Sequence, residues 1–188
     1  KSPLELRQHH QALSWAGDQL FYPVPGTGYY FPLIYAPQAL ALRLGETLGL
    51  GIAISYQLAR SLTLLSVCLI TALAWRRFAP NAAVVAVATL PMAVFQAVSP
   101  TLDGLTTALA LLAIGEFLRQ LSSPAPADNG PAWALWACLF LVVTSRIHLA
   151  PMLLMPLYLA WGQRSWHSWS GGLVLLAACA AWVGCALV

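Results

Sequence analysis

The sequence predicts an all-α, polytopic transmembrane protein, and three observations predict it. Hydrophobic residues make up 60% of the chain and charged residues only 8%, against roughly 25% charged in a soluble domain. Several apolar runs approach the ~20 residues that a bilayer-crossing helix needs. Eight Trp and six Tyr suit a protein with long contours at headgroup depth, where amphipathic rings settle. A formal charge of +3 over 188 residues is too small and too dispersed for a nucleic-acid surface. The whole chain, 1–188, reads as a single transmembrane domain.

Residues 1–48 precede the first span. Lys1, Glu5, Arg7, His9, His10 and Asp18, followed by the turn-rich Tyr22-Pro-Val-Pro-Gly-Thr-Gly28, predict a short helix near 3–16 and a loop to about 31. Pro37 suits a first helical position and opens a helix over 37–48, with Ala36, Leu40, Leu44 and Leu48 on one face. Too short to cross, it is expected to lie along the membrane surface. Spans follow at about 50–75, 82–98, 104–121 and 170–188. The 131–162 stretch, broken by Ser145-Arg-Ile-His148, Pro151 and Pro156, is either one kinked span or a hairpin turning at Arg146. No secretory signal is visible and the chain opens on Lys1, so it is read as either a processed form or part of a longer protein.

Topology follows from charge. Arg76 and Arg77 form a short basic loop, which the positive-inside rule places in the cytoplasm. Arg119 then lies inside as well, and a hairpin at Arg146 would return Arg164 to that side, which favours the hairpin. Residues 1–48, the turn 99–103 and Arg146 would share the outer face. Glu116 and Arg119 are expected to make a local ion pair. Gly171, Gly172 and Gly184 suggest helix-packing contacts. Cys68, Cys138, Cys179 and Cys185 lie in apolar runs without metal-ligand spacing and read as small buried hydrophobes.

The candidate chemistry sits at ionisable residues that interrupt apolar sequence. Asp103, between two membrane-length runs, must meet water, a cation or a partner; an N-cap role is the plain structural reading. Arg60 lies within the first span, with Tyr56, Thr63 and Ser66 near its face. It either pairs with an acid such as Asp103 or clamps a phosphate, for which its planar fork is suited. Arg146 either snorkels to headgroups or binds phosphate. His148 beside it, and Gln96 in the run before Asp103, complete the candidate substrate-binding set with Tyr56, His9 and His10. Glu5 and Asp18 supply possible bases, although Glu5 with His9 is no metal site. No phosphate-cradling glycine loop, nucleophile elbow or two-histidine zinc motif is present.

Four segments in order, Tyr30-Phe-Pro-Leu-Ile-Tyr-Ala-Pro-Gln-Ala-Leu40, Leu58-Ala-Arg60, Leu90-Pro-Met92 with Ser99 and Asp103, and Thr144-Ser-Arg-Ile-His-Leu-Ala-Pro151, resemble a bacterial polytopic membrane family catalogued as domain of unknown function 2142. That family is similar to the GT-C superfamily of membrane glycosyltransferases. The resemblance implies a GT-C-like N-terminal part whose active face lies outside the inner (plasma) membrane, on the periplasmic or extracellular side. It implies a polyprenyl-phosphate-linked sugar donor and a glycan or protein acceptor. An essential acid of the first outer loop is best matched by Glu5, with Asp18 as rival because the acid-to-His spacing is not kept. Asp103 matches the acid after the Pro-Met segment and Arg60 the arginine of the preceding helix. Arg146 stands where relatives more often carry Lys before Pro. A divalent cation, Mg or Mn, is an open cofactor expectation. The alternatives are a transporter or binding protein for a lipid-linked or small solute, and a non-catalytic subunit of a membrane complex.

Overall fold

The structure, a computed structural model, describes Trp15 and residues 30–122, 132–163 and 166–187. Every regular element among them is helical. A 3-10 helix, Pro32–Tyr35, leads into α1 (Ala36–Thr47). Next come α2 (Ile52–Arg77), α3 (Ala82–Ala88), α4 (Pro91–Val98) and α5 (Leu102–Ser122). After α6 (Ala132–Ser145) a 3-10 segment, Ile147–Leu153, leads to α7 (Leu154–Gln163) and then α8 (Trp166–Leu187).

Helix α1 ends in a Schellman turn. Gly49 adopts φ 63°, a left-handed conformation that glycine takes without steric cost. Its N–H reaches the Glu46 carbonyl, and the Leu50 N–H reaches that of Gly45 at 2.8 Å, which satisfies carbonyls the helix leaves free. The chain therefore doubles back and α1 packs along α2. The packed face is small and polar, formed by Gln38, Ala41 and Gly45. The leucine face predicted from the sequence points away, with Leu40 55% and Leu48 68% exposed. Such a reversal would be unstable in water and suits a helix bathed in lipid.

Contact between α1 and α2 depends on Gly45. A Cβ there would sit 2.1 Å from Ser55 Oγ and 2.6 Å from Ser55 Cβ, and Ser55 is fully buried. Gly45→Val is therefore expected to destabilise the fold by about 1–3 kcal/mol through overpacking. Thermal unfolding in detergent would show this, together with increased maleimide labelling of a cysteine placed at Ala41.

The expected span 82–98 is two short helices. Leu90 is extended (ψ 143°) before Pro91, as the proline ring requires of its predecessor, while Asn81 Oδ1 accepts the Val84 N–H to start α3. A second break at Ser99–Thr101 bends α4 and α5 by 109°. Two helices among the described residues are long and apolar enough to cross a bilayer, Ile52–Arg77 and Trp169–Ala186, and the bent α4–α5 pair makes a third candidate. The 131–162 stretch divides at Arg146, whose extended backbone (φ −144°, ψ 88°) ends α6. Beyond it α7 runs back along α5, with Tyr158 edge-on to Phe117 at 6.2 Å.

Helix α6 is the centre of the core. Its Leu135, Leu139 and Val143 pack with Leu112 and Ala113 of α5, Leu159 of α7 and Leu175 of α8. Phe31 wedges between Phe140 and Trp182, edge-on to both at 4.9 and 4.7 Å. Around this core Met92, Phe95, Trp161 and Val174 are each more than 65% exposed, an apolar sheath that only lipid would cover without penalty. The protein is an all-α membrane protein.

Two details differ from the sequence expectation. Cys138 and Cys179 are buried, but Cys68 and Cys185 lie on the apolar surface. Gly171 touches the Trp136 ring and Gly172 touches Leu157, whereas Gly184 has open space.

The helical bundle has two polar ends. At one, Glu116 is 1% exposed and holds Arg77 at 3.1 Å and Arg119 at 3.0 Å. The Glu116–Arg119 pair expected from their spacing thus gains a second cation from α2. The other end carries Asp103, Arg146 and the start of α2.

Candidate functional site

The Asp103 end is built around the turn between α4 and α5. Pro100 and the Ser99–Thr101 bend close α4, so the chain re-enters the bundle with Asp103 in the first turn of α5. An acid there complements the helix dipole, but it is inside the helix rather than capping it. Its carboxylate does not stand alone: Arg146 Nη2 is ion-paired with Asp103 Oδ1, and the two side chains keep 29% and 37% exposure. Asp103 opens α5 and Arg146 closes α6, so the pair ties antiparallel helices at one end.

Arg60 approaches the same turn from α2. It lies eight residues past Ile52, about 12 Å along the helix. Its Nε–H donates to the Val98 carbonyl at 3.5 Å. The sequence allowed a pair with Asp103; the structure gives Asp103 to Arg146, and Arg60 has no acidic partner among the described residues. A guanidinium cannot shed its proton, so Arg60 brings to this turn a positive charge that no acid among the described residues compensates.

The segment before α2 covers the turn from the other side. Gln38 donates from Nε2 to the Thr101 carbonyl at 3.3 Å. Tyr35 lies close enough for Arg146 to favour its ionised form, yet burial foremost, and then Tyr30, push its phenol above the ordinary range. Tyr35 therefore stays a neutral hydroxyl at physiological pH. Trp15, between Glu5 and Asp18 in the chain, donates from its indole to the Leu50 carbonyl at 3.0 Å, at this same end.

The structure thus brings Arg60, Asp103 and Arg146 together and leaves other candidates apart. Thr63 and Ser66 spend their hydroxyls on the carbonyls of Ala59 and Leu62 within α2. Tyr56 is 49% exposed, and His148 is exposed just beyond Arg146. Gln96 lines an apolar groove of about 310 Å³ among Val67, Thr71, Ala97, Gly104 and Thr107. Glu5, His9, His10 and Asp18 lie outside the described residues. Sequence reasoning passed over Tyr35 and Gln38, which sit in the quoted Tyr30–Leu40 segment; a glutamine and a tyrosine on a short interfacial helix give no local signal of a buried role.

Among the described residues the fit to a divalent cation is poor. No group of three His, Cys, Asp or Glu gathers among the described residues. At this end Arg146 holds Asp103 and Arg43 holds Glu46, so neither carboxylate is free to join others as a hard-cation ligand.

No curated protein and no solved structure matches the chain. Residues 6–188 match the family model described as Predicted membrane protein (DUF2142). With nearly its whole length matched, the chain belongs to the DUF2142 family of predicted membrane proteins.

Proposed function

We propose that the protein transfers a sugar from a polyprenyl-phosphate-linked donor to a glycan or protein acceptor on the outer face of a bacterial inner membrane. The observation that carries this reading is Arg60, a cation set inside an apolar helix with no acid to neutralise it among the described residues. A lipid phosphate is the anion that reaches such a depth, and a guanidinium is the side chain that binds it with two parallel bonds. The orientation follows the short Arg76-Arg77 loop, whose paired arginines suit the cytoplasm; among the described residues each end carries three arginines, Arg76, Arg77 and Arg119 at one and Arg43, Arg60 and Arg146 at the other.

In this reading the acceptor hydroxyl attacks the anomeric carbon and the bond from that carbon to the phosphate oxygen breaks. The electron pair leaves with the lipid phosphate, where Arg60 and Arg146 stabilise it in a water-poor site. Arg146 engages Asp103, so Asp103 orients that arginine. The acceptor's proton goes to a carboxylate of the N-terminal segment, Glu5 first and Asp18 second. Trp15, three residues before Asp18 in the chain, donates from its indole to the Leu50 carbonyl at this end.

The test is sugar transfer in proteoliposomes with a purified polyprenyl-phosphate hexose. Glu5→Gln should lose roughly 10²–10⁴-fold in rate, the contribution of general-base help, and Asp103→Asn should lose less. Full transfer by both variants contradicts the reading. Sugar that crosses vesicles without bond cleavage makes the protein a carrier instead. Stable co-purification with a partner, with all these charges dispensable, makes it a structural subunit.

A further inference from the structure

The Asp103 end contains two buried polar atoms without a partner among the described residues, Gln38 Oε1 and Ser145 Oγ. Gln38 is 6% exposed and Ser145 fully buried. A buried acceptor left unsatisfied costs about 1–3 kcal/mol, and such groups are scarce in native proteins. Both flank the paired charges: Ser145 directly precedes Arg146, and Gln38 is fixed by its other arm to Thr101, two residues before Asp103.

The chemistry of the two atoms narrows what they bind. An amide oxygen accepts hydrogen bonds and repels phosphate oxygens, so its partner must be an O–H or N–H group. A serine hydroxyl can donate or accept. An acceptor and a two-way hydroxyl at one end of the bundle fit a ligand with several hydroxyls. The anionic part of the same ligand has its own place, because Arg60 and Gln38 contact carbonyls of a single turn, Val98 and Thr101. Three residues span at most roughly 11 Å, comparable with a hexose bearing a phosphate.

We infer that Gln38 is a sugar-binding residue of the outer site: its Nε2 is locked on the Thr101 carbonyl so that Oε1 accepts a hydroxyl of the sugar, with the Ser145 hydroxyl as a second contact. The inference rests on the phosphate-binding role given to Arg60. It adds that α1, an interfacial helix with a lipid-facing leucine side, carries specificity on its packed side.

The test compares bare polyprenyl phosphate with polyprenyl-phosphate hexose, measured by titration into the protein in nanodiscs. The wild type should bind the hexose-bearing lipid more tightly. Gln38→Met, close in volume but without an amide, should lose that preference by roughly tenfold, the scale of one hydrogen bond to a buried group, while binding the bare lipid unchanged. Unchanged bare-lipid binding also shows that the variant is folded. If Gln38→Met binds neither lipid, Gln38→Glu measured at about pH 3.5, where a protonated carboxyl keeps one O–H for the Thr101 carbonyl and one acceptor oxygen, decides: a restored preference supports the inference and a lost preference overturns it. A preference that survives in Gln38→Met, or is absent in the wild type, overturns the inference and leaves the phosphate site standing. Failure of the wild type to bind either lipid overturns both.

Discussion

Glu116→Ala is expected to destabilise the protein by about 3–5 kcal/mol, the cost of removing one member of a buried charge network. The carboxylate is 1% exposed and accepts from Arg77 of α2 and Arg119 of its own helix. Without it two guanidinium groups remain near the end of an apolar bundle. They keep 37% and 32% side-chain exposure, and can shift toward headgroups, so the loss should fall in the lower part of that range. Unfolding temperature in detergent gives the measure. The triple variant Glu116→Met, Arg77→Leu, Arg119→Leu should recover most of the stability, because removing a whole ion cluster is far cheaper than orphaning its charges. A Glu116→Ala protein as stable as the parent would show that the network contributes nothing to the fold.

Arg60→Met should behave in the opposite way. Its one described bond is long, 3.5 Å to the Val98 carbonyl, and no acid among the described residues offsets its charge. Replacement with an apolar side chain of similar reach should leave the unfolding temperature unchanged or raise it. Affinity for bare polyprenyl phosphate should fall about hundredfold, or roughly 2.7 kcal/mol, as expected for a partly buried charge-assisted contact. A gain in stability paired with a loss of binding is the signature of a residue kept for function. A structural strut for the Val98 turn would instead lose stability and leave binding untouched.

Legibility differs from element to element for physical reasons. Composition alone announces an apolar helical protein, and the spacing of Glu116 and Arg119 announces their pair. The interruption at Arg146 is visible too, because a charge with Pro151 and Pro156 behind it breaks the apolar run, but it fits a kinked span as well as a hairpin. Pro91 is less readable. A proline inside an apolar run either kinks one helix or starts another, and here the extended Leu90 makes it a start. Periodicity finds the leucine face of α1 but cannot say what that face meets: in water it would turn inward, and here Gln38, Ala41 and Gly45 take that place. The site was legible as a set of misplaced charges, but not as a set of partners. Arg146 meets Asp103 across 43 positions, and nothing local chooses that pairing over Arg60 with Asp103.

Both ends of the bundle carry arginines, and the proposed activity requires the lipid phosphate at the Asp103 end. The direct measurement is a structure of the protein in nanodiscs with bare polyprenyl phosphate added. The account predicts phosphate oxygens within hydrogen-bonding distance of the Arg60 guanidinium, beside the Val98–Asp103 turn. Phosphate found at Arg76, Arg77 and Arg119 instead, with Arg60 untouched, would contradict it.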